Sequence, residues 1–448
     1  MEYIIGILIL VSFFGLAFYA ARGGNLMMGM LVMAILWTVL PMLGNTFATN
    51  PEFVAANADR IQITWIQAFA KVFQSGPEGW GNVLVNVVFG AWFGRVLLET
   101  GIASTLIRKT TELGGDKPAV TCILLCIVTT AIFSSLFGAG AVVAIGVIVL
   151  PILMSLGIPK VLSVVSFMLS IGAGMFLNPV LFGQYTAFFL DAEGKTVYPY
   201  DQYVRWGGIA LTVQLVFTIC LVLFFMRKKK TVHPWAARRP MRQKIDFAPG
   251  RSLLTPFIPV FLLIAFKVPI IMGFLIGGFY ALFVCGKLKD FRTACRTFNK
   301  DFFDGVVDTA PLVGFLLMVP MFNKAAELCI PYFNALLGNI IPNSTLFITI
   351  IFCVLAPLGL FRGPFTLYGC GAATLGILKG IGFSTTFLAP LMIASTTVMN
   401  VSCCITQSWI VWGISYAKVS TKDFLKISIV CGWIICIILQ IITFIMFG

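Results

Sequence analysis

The sequence predicts an all-α polytopic membrane protein made of two inverted repeats. Each repeat is expected to hold five transmembrane helices, one re-entrant hairpin and one broken helix. The 448-residue chain is 59% apolar, with a mean hydropathy of +0.99. Only 11% of its residues are charged, against about 25% in an average soluble domain. Apolar runs of about 15 to 25 residues recur along the whole chain, and such runs are long enough to cross a bilayer.

The first repeat is expected over residues 1–226. Three simple spans fall within 1–100, and the third of them is predicted near 81–99. A hairpin and a broken helix are expected over 119–190, followed by a last span at 206–226. The apolar run after Glu2 has no basic segment before it and no cleavage site, which favours a retained helix over a signal peptide.

Residues 227–251 form a basic linker with nine Lys or Arg residues and one acid. Such a cluster beside a span is typical of a cytoplasmic segment facing anionic lipid. It accounts for much of the net charge of +14, and nucleic-acid binding is therefore not expected. The loop at 287–304 is also basic, whereas 44–80 and 191–205 are not. This pattern predicts that both termini lie outside a bacterial-type inner (cytoplasmic) membrane.

The second repeat, 252–448, has the same order as the first. Its simple spans fall within 252–335, the third near 303–322, followed by a hairpin and broken helix over 343–413 and a span at 424–447. Because five crossings make up each half, the second half is inverted relative to the first. Four residue pairs keep a nearly fixed separation: Gly81 with Gly305, Phe137 with Phe361, Asn178 with Asn400, and Gln184 with Gln407.

Four interruptions of the apolar pattern are candidates for a binding site at mid-membrane. They lie at matched places in the two halves, around Ser134, Asn178, Arg362 and Asn400. Broken helices suit such a site because their half-helix N-termini offer free N–H groups to an anion. The expected substrate-binding residues are Ser134, Ser135, Gly138, Gly140, Asn178, Arg362, Gly363, Thr366, Asn400 and Gln407.

Arg362 is the charged residue among these interruptions, within "GLFRGPFTLYG". An arginine at membrane depth is costly unless it is paired or binds a ligand. Its planar fork suits a carboxylate ligand, which is the favoured interpretation. An internal salt bridge to Asp308 or Glu327 is the alternative.

A coupling cation is expected at the same breaks, where unwound carbonyls and side-chain oxygens can hold Na⁺. Intramembrane acids are few, namely Glu99, Asp308 and Glu327, and the sequence leaves Na⁺ or H⁺ open. No other cofactor is expected, because His233 stands alone and the cysteines show no paired metal spacing. The expected cation-binding residues are Gly172, Asn178, Ser395, Thr396 and Asn400.

Two motifs and the repeated hairpin with its broken helix resemble the ion transporter superfamily, particularly gluconate/citrate permease-like carboxylate transporters. The motifs are "GRVLLETGIASTLIRK", Gly94 to Lys109, and "FGAGAVVAIGVIVLPILMSLGIPK", Phe137 to Lys160. The resemblance implies a homodimer with a scaffold domain, formed by the first three spans of each half. It also implies a transport domain that slides like an elevator.

The resemblance further implies that substrate and cation lie at the hairpin tips, Ser134–Gly140 and Arg362–Thr366, with partners around Asn178 and Asn400. Dicarboxylate carriers of the superfamily show a Ser-Asn-Thr signature there. The tips of this chain read "SSLFGAG" and "FRGPFT" instead. Neither the sodium-site chemistry nor the substrate is therefore transferred from that family.

Together these patterns predict a secondary active transporter for a small organic anion, with a carboxylate favoured. Coupling to Na⁺ or H⁺ is expected, as a symport, with exchange left open. A cation/proton antiporter on the same fold is the alternative, in which Arg362 would be structural. An enzyme is not expected, because no catalytic acids or histidines cluster at one interface. The expected partners are the anion, the lipid bilayer and a second copy of the chain.

Overall fold

The computed structural model describes residues 2–22, 24–48, 50–115, 117–189, 197–228, 247–337 and 342–448. Every regular element in these ranges is helical, and six of the helices are long and apolar enough to cross a membrane. The predicted fold class is confirmed. Most of the basic linker 227–251 lies outside the described residues.

The first half runs through three helices, a hairpin, a bent helix pair and a final long helix. A 13-residue amphipathic helix, Ile102–Gly114, connects the third helix to the hairpin and buries its apolar face. The helices are Glu2–Ala21, Leu26–Thr46, Trp65–Glu99 (the third helix), Pro118–Phe133 and Ala139–Ser155 (the first hairpin), Lys160–Met175 and Pro179–Thr186 (the first broken helix), and Tyr200–Lys228.

The second half repeats this order. Its first two helices meet at a turn in which Lys267 adopts a left-handed conformation and Pro269 directly precedes the next helix. The helices are Gly250–Phe266, Ile270–Val284, Phe291–Leu337 (the long helix), Thr345–Val354, Ala356–Arg362 and Gly371–Ile381 (the second hairpin), Thr385–Ser395, Thr396–Ser402 and Ser408–Ala417 (the second broken helix), and Thr421–Phe447.

Two helices are longer than the sequence predicts. The third helix begins at Trp65 rather than near residue 81, and the long helix spans 47 residues instead of the expected 303–322. Both extensions contain charged residues, Lys71 in the third helix and Lys324 and Glu327 in the long helix. These charges interrupt the apolar runs from which the spans were predicted. In the structure Glu327 lies 2.8 Å from the Lys324 ammonium and 3.8 Å from that of Lys71. Glu327 thus offsets part of the positive charge of the two lysines where the two extensions pack together. The three side chains are partly exposed, so their charges do not prevent the helices from continuing.

The third helix and the long helix cross at a glycine. A Cβ atom on Gly305 would lie 2.9 Å from the backbone nitrogen of Trp92 and 3.1 Å from the carbonyl carbon of Ala91. The close approach of two helix backbones is the usual use of a small residue in a membrane helix. The crossing therefore joins the third spans of the two halves.

The two broken helices lie against the last span of each half. A buried glutamine in each of these spans donates two hydrogen bonds at 2.8–3.1 Å. Gln214 donates one to each broken helix, and Gln440 donates both to the second. Gln214 and Gln440 thus hold matched positions, although they were not singled out in the sequence. The acceptors are Leu169 O and Ser402 Oγ for Gln214, and Leu391 O and Ser395 Oγ for Gln440.

We expect Gly305→Ala to lower the thermal unfolding temperature, because the new methyl group meets backbone atoms that cannot rotate away. Overpacking of this kind costs about 1–3 kcal/mol. The matched control is Gly208→Ala, also inside a helix, where a Cβ meets nothing within 4 Å. That control should be neutral or stabilised by about 0.5–1 kcal/mol. Equal melting temperatures of the two purified variants would contradict the assigned crossing.

Candidate functional site

A cavity of about 340 Å³ lies between the tips of the two hairpins, the long helix and the break in the second broken helix. Its volume falls in the range of about 300–1,000 Å³ that is typical of small-molecule sites. We call it the central cavity. The lining residues are Leu26, Met27, Phe137, Gly138, Ala139, Asp308, Thr309, Pro311, Leu312, Phe315, Arg362, Thr406, Gln407, Ser408 and Trp409.

The first hairpin contributes a helix N-terminus to the central cavity. Gly138 has a φ of 106°, which a residue with a side chain rarely adopts, and it precedes the helix that starts at Ala139. No side chain caps this helix start, so its first-turn N–H groups are open to a ligand. Gly138, which the sequence predicts to bind substrate, thus lines the central cavity.

The serines of the first hairpin tip do not line the central cavity. The Ser134 hydroxyl donates to the Ala131 carbonyl at 2.7 Å, and the Ser135 hydroxyl donates to the carbonyl of Pro256. Both side chains are buried. They hold the tip in place, and the predicted substrate contact would require one of these bonds to break.

The second hairpin tip has an unusual backbone. Phe361 and Arg362 both adopt left-handed conformations, with φ of 51° and 61°. Such residues cost about 1–3 kcal/mol each and persist only where the surroundings fix them. The Cys370 N–H donates to the Arg362 carbonyl at 3.0 Å, and Gly363 packs so tightly on Leu358 that no side chain fits there. The strained turn directs the Arg362 side chain to the central cavity.

The Arg362 guanidinium lines the central cavity and makes one hydrogen bond to the described chain. Its Nη1 donates to the Tyr368 carbonyl at 3.3 Å, its Cζ lies 5.0 Å from the centre of the Phe315 ring, and its Nε has no hydrogen-bond partner. Neither carboxylate considered as its partner pairs with it. Asp308 pairs with Arg95, and Glu327 with Lys324. The internal salt bridge is therefore not formed in the described chain.

The break in the second broken helix brings a second helix N-terminus to the central cavity. Gln407 precedes the half-helix Ser408–Ala417, whose start also has no side-chain cap. The Gln407 Nε2 donates to Asn400 Oδ1 at 2.5 Å, while Asn400 Nδ2 has no partner. Asn400 is fully buried and does not line the cavity, but it contacts the lining residue Gln407.

Asn178 has a different position from Asn400, although sequence spacing paired them. Its Oδ1 accepts hydrogen bonds from Val180 N and Leu181 N, at 3.0 and 3.2 Å, and so caps the half-helix Pro179–Thr186. Its Nδ2 donates to the Phe133 and Leu136 carbonyls of the first hairpin. In the second half Gln407 occupies the corresponding half-helix start, because the π-helical segment Thr396–Ser402 precedes the break.

The other predicted residues are buried around the cavity without lining it. Thr366 is buried, and its hydroxyl has no partner. The Ser395 and Thr396 hydroxyls accept hydrogen bonds from Gln440 Nε2 and Leu367 N. Gly172 packs directly against the Ser402 hydroxyl. These groups contact the protein itself, and cation binding at them stays a prediction.

Sequence reasoning missed the ion pair between Arg95 and Asp308. Arg95 Nε and Nη2 lie 2.6 and 2.7 Å from the two Asp308 oxygens, so the pair is bidentate. It joins the third helix to the long helix, and about a quarter of each side chain is exposed. Gly140 packs on the Asp308 carboxylate at a distance that excludes a Cβ atom. The signal was available, because Arg95 interrupts an apolar run.

The charges at the central cavity favour an anion. Arg95 neutralises Asp308, whereas no described carboxylate pairs with Arg362. The two uncapped helix N-termini add partial positive charge on the same side. The Asp308 carboxylate lies against Gly140 in the first turn of one of these helices. The Arg362 charge and the helix end at Ser408 therefore lack a described counter-charge.

No family model and no curated protein matches the chain. Among solved structures it is similar to the crystal structure of the YdaH transporter of Alcanivorax borkumensis, which has an unusual topology. The two share a TM-score of 0.58 and 11% sequence identity, over 93% of this chain and 98% of that one. The chain is an integral multi-pass membrane protein with a transporter-like helical fold. The likeness does not select the gluconate/citrate permease-like family.

We expect Asn178→Ala to lower thermal stability much more than Asn400→Ala. The first change leaves two N–H groups and two carbonyls buried without partners, and each unsatisfied group costs about 1–3 kcal/mol. The second breaks one hydrogen bond. Thermal unfolding of both purified variants measures the difference. A smaller loss for Asn178→Ala would show that its bonds do not support the fold.

We expect Arg95→Gln and Asp308→Asn each to destabilise the protein, because either leaves a partly buried charge without its partner. The double variant should recover part of the loss. A double-mutant cycle on thermal unfolding should give a coupling free energy of about 1–3 kcal/mol. Additive losses would mean that the two side chains do not interact in the membrane.

Proposed function

We propose that the chain is a secondary active transporter for a small organic anion, with a carboxylate bound by Arg362. The observation that carries the proposal is the Arg362 guanidinium, which lines the central cavity without a carboxylate partner in the described chain. A buried, uncompensated charge is expensive, and a bound anion would offset that cost. The transporter-like fold supports the same conclusion.

The geometry suits a carboxylate. Its two oxygens match the fork of a guanidinium, and the Arg362 guanidinium bonds only one carbonyl, that of Tyr368, in the described chain. The helix starts at Ala139 and Ser408 would supply further N–H donors to the same group. The expected ligand set is therefore Arg362, the first-turn amides behind Gly138, and the amides behind Gln407.

Alternating access would follow from the two walls of the central cavity. One wall is the long helix, joined to the third helix through Arg95 and Asp308. The other consists of hairpin tips and a broken helix, which pack on the last spans. We propose that the second wall moves against the first in an elevator-type step, within a homodimer, coupled to Na⁺ or H⁺. If the termini lie outside, as the sequence predicts, the second helix begins at the cytoplasmic side. The part of the central cavity lined by Met27, at the start of that helix, would then lie toward the cytoplasm.

A cation/proton antiporter on the same fold is the second candidate. The observation that favours it is the Asp308 carboxylate at the cavity wall. It would require Asp308 to leave Arg95 during transport, and it would give Arg362 only a structural function. Flux driven by pH or sodium jumps alone, without any carboxylate, would support it.

We expect at least one organic acid to raise the thermal stability of the purified protein, and Arg362→Ala to abolish this effect. A ligand at 100 times its dissociation constant adds about 2.7 kcal/mol to native stability. The screen is run across pH, with and without sodium. Arg362→Lys keeps the charge but not the fork and should bind more weakly. The matched control is Arg22→Ala, an exposed arginine outside the cavity, which should keep the full response.

A full carboxylate response in folded Arg362→Ala would contradict the proposed binding residue. Folding of that variant is checked by size-exclusion chromatography and circular dichroism. Absence of any response in the unaltered protein, together with carboxylate-independent cation flux in liposomes, would instead support the antiporter.

A further inference from the structure

We infer that the transported anion carries a single negative charge and an apolar body, as in an aliphatic or aromatic monocarboxylate. The inference rests on the proposed function and concerns the choice among organic anions. It departs from the hydroxylated and multiply charged acids that a gluconate/citrate resemblance implies.

The count of charges limits the substrate to one anionic group. Arg362 is the unpaired cationic side chain among the lining residues, and the other charged lining residue is Asp308. Since the two helix starts are already assigned to the carboxylate on Arg362, a second carboxylate in the same cavity would lie near the Asp308 carboxylate or against apolar wall. Either position lacks a counter-charge, because Arg95 already makes two bonds to Asp308.

Much of the remaining wall is apolar. The long helix contributes Pro311, Leu312 and Phe315, and the start of the second helix contributes Leu26 and Met27. Trp409 adds a large ring, and its Nε1 is engaged with the Val401 carbonyl at 3.2 Å. These surfaces would bury an apolar substrate body once its carboxylate lies on Arg362.

The neutral polar groups of the wall are largely engaged with the protein. The Thr309 hydroxyl donates to the Gly305 carbonyl at 3.0 Å, and Gln407 Nε2 donates to Asn400. The Thr406 hydroxyl contacts the Cys404 sulfur at 3.1 Å. The Ser408 hydroxyl makes no such bond in the described chain, but it lies at the helix start assigned to the carboxylate. A chain of hydroxyl groups would therefore find few free partners, and buried polar groups without partners oppose binding. Sugar acids should therefore bind poorly.

The test measures dissociation constants of the purified full-length protein for acetate, butanoate, hexanoate and benzoate by isothermal titration calorimetry. Succinate, citrate, gluconate and glycine serve as comparisons. Affinity should rise about fourfold for each methylene added to the straight-chain acids. Butanoate should bind at least tenfold more tightly than succinate, which has the same number of carbons and one more charge.

Two wall variants show whether the central cavity sets this preference. Leu312→Asn should reduce the gain per methylene to below twofold, because it places a polar group against the apolar body. Leu312→Val, a milder change, should give an intermediate gain and covers the case in which the Asn variant misfolds. The matched control is Leu113→Asn, at a position that is 80% exposed and outside the cavity, which should keep the fourfold gain.

The outcomes separate this inference from the proposed function. Tighter binding of succinate, citrate, gluconate or glycine than of the monocarboxylates, with binding still lost in Arg362→Ala, overturns the inference and leaves the proposed function intact. A chain-length gain unchanged in both Leu312 variants also overturns it. If no organic acid binds the unaltered protein, the proposed function fails, and the inference fails with it.

Discussion

The structure depends on one constraint, which is that a helix broken inside a membrane must find new partners for its freed backbone groups. In the first half a single side chain does most of this. Asn178 accepts two hydrogen bonds from a half-helix start and donates two to the first hairpin. Because such hydrogen bonds stabilise the helix breaks, helix N-termini can lie inside the helical bundle and face a cavity.

The second half meets the same constraint with different groups. The π-helical segment Thr396–Ser402 precedes the break, and Gln440 and Thr396 bind neighbouring backbone or hydroxyl groups. Gln407 is left at the half-helix start without capping it. The two repeats therefore share the order of their elements but differ at their broken helices. The half-helix start is capped by Asn178 in the first repeat and has no side-chain cap in the second.

Charge follows the same asymmetry. The pair between Arg95 and Asp308 neutralises the meeting point of the two halves and leaves Arg362 as the open charge. Two consecutive left-handed residues, Phe361 and Arg362, place this guanidinium over Phe315. Backbone strain and an unpaired charge thus coincide at the tip of the second hairpin. Strained backbone of this kind is often found at ligand-binding sites.

The sequence by itself determined the helical membrane class, the repeated order of elements and the positions of the breaks, because apolar period and run length are local properties. It also identified Gly138, Arg362 and Gln407, which line the central cavity. Only the tertiary structure showed that the Asn178 and Ser135 side chains hydrogen-bond to backbone carbonyls of the protein. It also showed that Asp308 pairs with Arg95 and not with Arg362. Those choices depend on contacts between residues 42 to 213 positions apart, which no local pattern encodes.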